Sequence, residues 1–285
     1  MAVKILADST CDLSPELIEK YQIQILPLHV ILGDQEYRDG VDITPAQIYE
    51  WSDAHQQTPK TSTPSVDEIM DALQPFADGD ASDEAILFSI SSQMSGCNNI
   101  MRMAVRNLKL EDRVHVIDSA NLSTGIGLTV IEAAIMAEEG KPASEIVAHV
   151  ESLLPKVRAS FVVDTLTYLH RGGRCSGLTA LLGGAFRIHP EIVVEDGAMH
   201  PSRKYRGKYD QIILKYAKDL EKDLLNARPD RVFITHSPAE PETVKQVRAY
   251  LESLHYFNEI LETKAGSVIC SHCGPGTLGV LFISK

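Results

Sequence analysis

The sequence predicts an α/β protein of two lobes: an N-terminal, mostly parallel sheet with flanking helices over residues 1–157, and a C-terminal α/β lobe over residues 158–285. Three observations carry this. Short β-rich runs alternate with helical patterns through the first half, as repeated βα units do. Near Arg158 the pattern changes to closely paired β-prone runs and long amphipathic helices. A chain of 285 residues that is 44% hydrophobic is also long enough to bury a substantial core.

Taken in order, KILAD (residues 4–8) is the opening strand, and Ser14 with Pro15 supplies the cap and first turn of a helix. QILPLHVIL and EYRDGVDI read as extended. Thr44, Pro45 and Gln47 then give an N-cap, a first-turn proline and a capping-box partner, with Ile48 and Trp51 on the buried face. TSTPSVDE repeats the signal, with Pro64 placed in the first turn and Ser65 boxed by Glu68. AILFSI (residues 85–90) is a buried strand, after which SSQMSG turns the chain into a helix whose apolar face holds Ile100, Ala104 and Leu108. VHVID (residues 114–118) is the next strand. A helix follows Ser119 and stops near Gly140, and another runs over residues 143–154.

In the second half, ASFVVDTL is a strand, TLTYLHR a short helix capped by Thr165, and Asp196-Gly197 the turn dipeptide of a hairpin. Tyr209, Ile212, Ile213 and Tyr216 share one helix face, as do Val244, Val247 and Leu251 on a later helix flanked by RVFITH and GVLFIS.

The formal charge of −12 works against attraction to phosphate backbones or anionic lipid, so nucleic acid is not an expected partner. MAVKILADST lacks the basic and longer apolar regions of a signal peptide, and no run approaches the roughly 18 apolar residues of a membrane span. Five cysteines, an odd number, suit a reducing compartment. The expectation is a soluble, cytoplasmic protein with no stable membrane insertion.

Ligands of open α/β sheets bind beyond the carboxyl ends of the strands. Three such ends carry hydroxyls here: Asp8-Ser9-Thr10, the loop from Ser91 and Ser92 to Ser95 and Gly96, and Asp118-Ser119. Ser95 and Gly96 stand where a helix begins, so free N–H groups and the positive dipole end suit a carboxylate or phosphate. The same residues also serve as ordinary caps and turns. No Gly-x-Gly-x-x-Gly, P-loop or His-Glu-x-x-His is present. Gly173-Arg174-Cys175-Ser176-Gly177 imitates a nucleophile elbow but follows a helix pattern instead of a strand. Arg171 and Arg174, beside paired glycines, suit a turn that presents cations, or arginines tied to neighbouring carboxylates or carbonyls. Cys270-Ser271-His272-Cys273 has no second cysteine cluster to complete a zinc site, and His272 reads as a polar side chain on a tight turn before the last strand. No metal or cofactor is expected.

Six segments together resemble the DegV family of bacterial fatty-acid-binding proteins over essentially the whole chain: ADSTCDL at 7–13, PKTSTPS at 59–65, SSQMSG at 91–96, VIDS at 116–119, LTYLHRGGR at 166–174 and HCGPGTLG at 272–279. The resemblance implies a two-lobed fold with an apolar ligand tunnel between the lobes. It implies a long-chain fatty acid whose carboxylate bonds Thr61 and Ser95, with Ser62, Ser92, Gly96 and His272 nearby and Arg174 in a head-group or partner loop. It further implies a carrier without its own catalysis that presents the acid to a separate ATP-dependent fatty-acid kinase. The alternative is a small-molecule hydrolase or transferase using the same strand-end cleft. Three positions depart from the family pattern: Cys97 and Asn98, where a threonine and an aromatic are usual, and Thr63, where glutamine is common. These departures are expected to alter the tunnel's shape.

Overall fold

A computed structural model describes residues 3–80, 82–175 and 188–285. The first half is built as expected from βα units. β1 (Val3–Asp8), β2 (Gln24–Leu26), β6 (Glu84–Ser89) and β7 (Val114–Asp118) form a wholly parallel sheet in the order β2-β1-β6-β7. Its crossovers include α1 (Pro15–Lys20), α2 (Pro45–His55), α3 (Val66–Asp78) and α4 (Cys97–Asn107), and α5 (Thr124–Glu138) and α6 (Ala143–Leu153) follow β7. The caps are those the sequence announces: Ser14 accepts from Leu17 N–H, and Thr44 with Gln47 and Ser65 with Glu68 form complete capping boxes.

Four local expectations change. QILPLHVIL breaks at Pro27, which has no N–H to offer a ladder. Its second half becomes β3 (His29–Leu32), which joins β4 (Gln35–Arg38) and β5 (Lys60–Ser62) in a small antiparallel sheet, order β4-β3-β5. EYRDGVDI is extended only to Arg38, because Val41 and Asp42 N–H turn back to the Arg38 carbonyl. Pro64 precedes the Ser65 cap and is not in the first turn. The helix after Ser119 starts only at Thr124, since Ala120 and Ser123 both take positive φ.

The second half forms a six-stranded sheet in the order β10-β9-β8-β13-β11-β12, from β8 (Val157–Val162), β9 (Ile188–Glu195), β10 (Ala198–Arg206), β11 (Ala227–His236), β12 (Glu259–Lys264) and β13 (Leu278–Ser284). All its pairs are antiparallel except β11 with β12. Asp196 and Gly197 turn the β9–β10 hairpin with φ of 49° and 78°, the left-handed pair that a two-residue turn demands. α7 (Thr167–Gly172) precedes β9, α8 (Tyr209–Asp219) and α9 (Glu221–Leu224) follow β10, α10 (Pro241–Ser253) links β11 to β12, and α11 (Ser267–Cys273) precedes β13.

β13 shows how the layers meet. Leu281 and Ile283 point into a core shared with the parallel sheet, whereas Leu278, Val280 and Phe282 point into a second core under α8 and α10. Helix α5 lies in the first of these, with every residue from Thr124 to Ala134 buried. A helix apolar on all sides belongs between layers, and this one packs on both β1 and β13. Among the described residues no helix is long and apolar enough to cross a membrane.

Candidate functional site

The three hydroxyl-bearing strand ends do fall on one edge of the parallel sheet, but they face different ways. Asp8 is buried, accepting from Thr10 N–H, Thr10 Oγ1 and Ile90 N–H. Burial raises its carboxyl to about 6 despite those bonds. Asp118 accepts from Ala120 and Ser92 N–H at 3.0 and 3.2 Å. Both carboxylates therefore anchor loops. The loop they support, residues 90–96, forms one wall of a cavity of about 120 Å³.

The polar end of that cavity is lined by Thr61, Ser62, Ser95, Gly96, Arg174 and His272. Leu28, Ile90, Met94, Leu122, Met199 and Val268 are among its apolar walls. The small sheet supplies Thr61, the turn leading into it Leu28, the 90–96 loop Met94 and Ser95, the β9–β10 hairpin Met199, and α11 His272. Ser92 does not line the cavity; it is exposed, with its N–H on Asp118. Ser62 lines it, yet its hydroxyl donates to Glu36 Oε1 at 3.1 Å.

Thr61 Oγ1 and His272 Nε2 lie 2.8 Å apart across 211 residues of sequence. His272 belongs to the last turn of α11, where a tight turn was expected: Gly274, at φ 80°, closes the helix and starts the turn to β13. Burial, and then the Arg174 charge, lower its pKa to about 4, so the ring is neutral near pH 7. Gly172 leaves room for the ring. A Cβ there would stand 2.5 Å from His272 Nδ1. Arg174 is tied to carbonyls, donating Nη1–H to Gly172 O at 2.7 Å and Nε–H to Met94 O at 3.4 Å, so it links the α7 turn to the Ser95 loop.

At the start of α4, Ser95 Oγ accepts from Cys97 N–H at 3.3 Å, and Gly96 is the N-cap without a side-chain cap bond. An eleven-residue helix thus starts from Gly96 on the cavity wall beside the Ser95 hydroxyl, an arrangement suited to an anion. Cys97 and Asn98 do not line the cavity: Cys97 is buried, and Asn98 donates to Ser89 Oγ while accepting from Arg102. Of the three departures only Thr63 reaches the wall.

Cys175 is buried, which pushes its thiol up to about 11 and away from thiolate character. The Ser176 and Gly177 that complete the elbow-like motif lie outside the described residues. Cys270 and Cys273 are buried with raised pKa values, and among the described residues no cluster of three or more metal-ligating side chains occurs.

Two residues given no site role by the sequence matter to this geometry. Asp12 Oδ1 accepts from Gly266 N–H at 2.8 Å and Asp39 Oδ1 from Ser267 N–H at 2.7 Å, so two distant carboxylates cap the helix that carries His272.

Comparison with known proteins bears on the family and the fold. Residues 2–285 match the family described as "Uncharacterised protein, DegV family". A DegV domain-containing protein of Deinococcus radiodurans is 32% identical over 280 residues, covering 98% of each chain. A fatty-acid-binding DegV family protein from Thermus thermophilus superposes with a TM-score of 0.88 over 100% of both chains at 27% identity. A stearic-acid-binding protein of Eubacterium ventriosum does so with 0.83 at 28% identity, over 99% of this chain and 98% of that one. Sequence and architecture together establish that this chain belongs to the DegV family.

Proposed function

We propose that the cavity receives the carboxylate of a long-chain fatty acid at Thr61, Ser95 and the first amides of α4, with the acyl chain along the Met94, Leu122 and Met199 wall. The observation that carries this is the convergence of Thr61, His272, Ser95 and Gly96 on one cavity whose remaining walls are apolar. The fatty-acid binding of the Thermus thermophilus and Eubacterium ventriosum proteins supports the same reading. A volume of about 120 Å³ resembles cavities that admit benzene, so a long chain enters by parting the wall side chains. The bound acid is then presented to a separate ATP-dependent fatty-acid kinase, with Arg174 at the mouth of the site.

Thr61 and His272 also have the spacing of a nucleophile and its base, the arrangement a hydrolase would use. Against that role, His272 Nδ1 has no hydrogen-bond partner to orient it, and a base with a pKa near 4 removes protons poorly at neutral pH.

Native mass spectrometry of the purified protein is expected to show a retained acyl ligand. Hydrogen bonds to a charged group contribute about 1.5–3 kcal/mol, so Thr61→Ala and Ser95→Ala should each weaken palmitate binding about ten- to a hundredfold with little change in melting temperature. Parent-like affinity in both variants rules out this head-group site.

A further inference from the structure

A second, larger cavity of about 900 Å³ lies along the β9–β10 hairpin. It opens where the six-stranded sheet splits. β8 and β9 pair only from Ser160↔Val193 to Val162↔Glu191, although β8 begins at Val157 and β9 runs on to Glu195. Beyond Ser160 the strands part, and the cavity fills the gap, bounded by Leu154, Pro155, Val193, Leu220 and Phe282.

Its polar groups are set by a second irregularity. The β9–β10 register shifts between Pro201 and Lys204, a bulge that includes Ser202 and Arg203, and both residues line the cavity. Bulges commonly re-aim side chains at functional sites. Glu191 lines the cavity too. It is 3% exposed, and its Oε2 has no hydrogen-bond partner. The cation paired with it, Arg203 Nε, stands 3.9 Å away, beyond hydrogen-bond range, on a half-exposed side chain. The Arg203 backbone N–H and the Ser202 side chain bond this carboxylate, so it is held in place with one buried oxygen still open to a further donor.

Charge decides what kind of donor fits. Glu151, Glu191, Glu195, Asp196 and Asp223 line the cavity against two arginines, Arg158 and Arg203. Arg158 is already engaged with the Pro155 and Val157 carbonyls, and Arg203 donates to Asp219 O. We propose that this cavity is a binding site for a small organic cation with a short hydrocarbon body, an alkylammonium or alkylguanidinium compound. The cationic head donates to Glu191, the hydrocarbon lies on Val193, Leu220 and Phe282, and the exposed Glu195 and Asp223 add attraction at the rim. The volume is within the range of small-molecule clefts. This site is separate from the Thr61 cavity and does not depend on what binds there.

The test is calorimetric titration of the full chain, near physiological salt, with cadaverine, spermidine and free arginine, and with 1,5-pentanediol as the uncharged analogue. At least one cation is expected to bind saturably with one-site stoichiometry, and the diol not at all. Glu191→Gln, which keeps the side chain's shape, should weaken that binding about tenfold or more, and the rim variant Glu195→Gln by a few-fold. Palmitate affinity should stay at the parent value in both. Glu195→Gln, at an exposed position, keeps the test decisive if Glu191→Gln melts early. No saturable binding of any of the three cations up to about 10 mM overturns the proposal. So does equal binding of the diol, or undiminished cation binding in the folded variants.

Discussion

His272 Nε2 faces Thr61 at 2.8 Å while Nδ1 is buried without a partner, and the position of one proton sets what Thr61 offers. With the proton on Nε2 the ring donates to Thr61 Oγ1, and the threonine hydrogen is left for a carboxylate. With it on Nδ1, the threonine hydrogen is used up on the ring and a buried N–H has no acceptor. The first tautomer fits a carboxylate site. Because the ring's pKa lies at about 4, it stays neutral where an ordinary histidine, near 6.5, titrates. A ring that gained charge through that range would bind an anion more tightly as pH fell. Palmitate affinity measured by titration from about pH 8 to about pH 6 is therefore expected to be flat, and a rise centred near 6.5 would mean a solvated, charged His272. The shift also bears on the fold. Between 6.5 and about 4 the unfolded chain takes up a proton at this ring that the folded chain does not, so His272 lowers stability as pH falls across that window. Asp8, raised from 3.8 to about 6, acts in the opposite sense over much the same range.

The seven-residue helix α11 depends on partners far away in the chain. Gly266, its N-cap, has no side chain to cap with, and Asp12 and Asp39 supply the acceptors from 254 and 228 residues distant. Asp39 also accepts from Ser9 Oγ, and burial still raises its carboxyl above the ordinary value. Asp39→Ala, which leaves the Ser267 amide buried without an acceptor, is expected to destabilise the protein by about 1–3 kcal/mol in chemical denaturation. Asp39→Asn keeps one carbonyl acceptor, relieves the buried charge, and should cost less. Equal losses in the two variants would show that the amide finds another acceptor. This dependence also explains what the sequence left hidden. α2 and α3 were legible because their capping boxes are local, and the hairpin because Asp196-Gly197 marks its own turn. α11 reads as a turn in the sequence because its C-terminal glycine is visible there and its N-terminal caps are not. The part of the cavity lining that the sequence makes legible is Thr61, Ser95, Gly96, Arg174 and His272, which short motifs carry. Leu122 and Met199 on the apolar wall belong to no periodic pattern that would single them out, and Asp39 lies in a run that reads as strand.

Across the whole molecule, the Thr61 cavity is assembled from the parallel sheet's loops, the small sheet and the six-stranded sheet's hairpin, so its depth depends on how these layers part. Each buried CH₂ contributes about 0.8 kcal/mol, and eight more of them contribute on the order of 6 kcal/mol if all are buried. Ordering the chain and opening the wall reduce that; half of it, about 3 kcal/mol, is still more than a hundredfold in affinity. Palmitate is accordingly expected to bind at least a hundredfold more tightly than octanoate when both are kept below their micellisation limits, and equal affinities would mean that the acyl chain is not buried. The layers are joined by α5, buried against strands of both sheets. A chain divided between residues 157 and 158 would leave this helix in one fragment and the strands that cover its far side in the other. Each fragment would carry a broad greasy face into water, an invitation to aggregate, and neither would make a usable stand-alone reagent. The lobes seen in the sequence are in this sense halves of one interior, and anyone wishing to tag, split or permute the protein would do better to cut at the exposed turn around Asp34 than at the boundary the sequence pattern suggests.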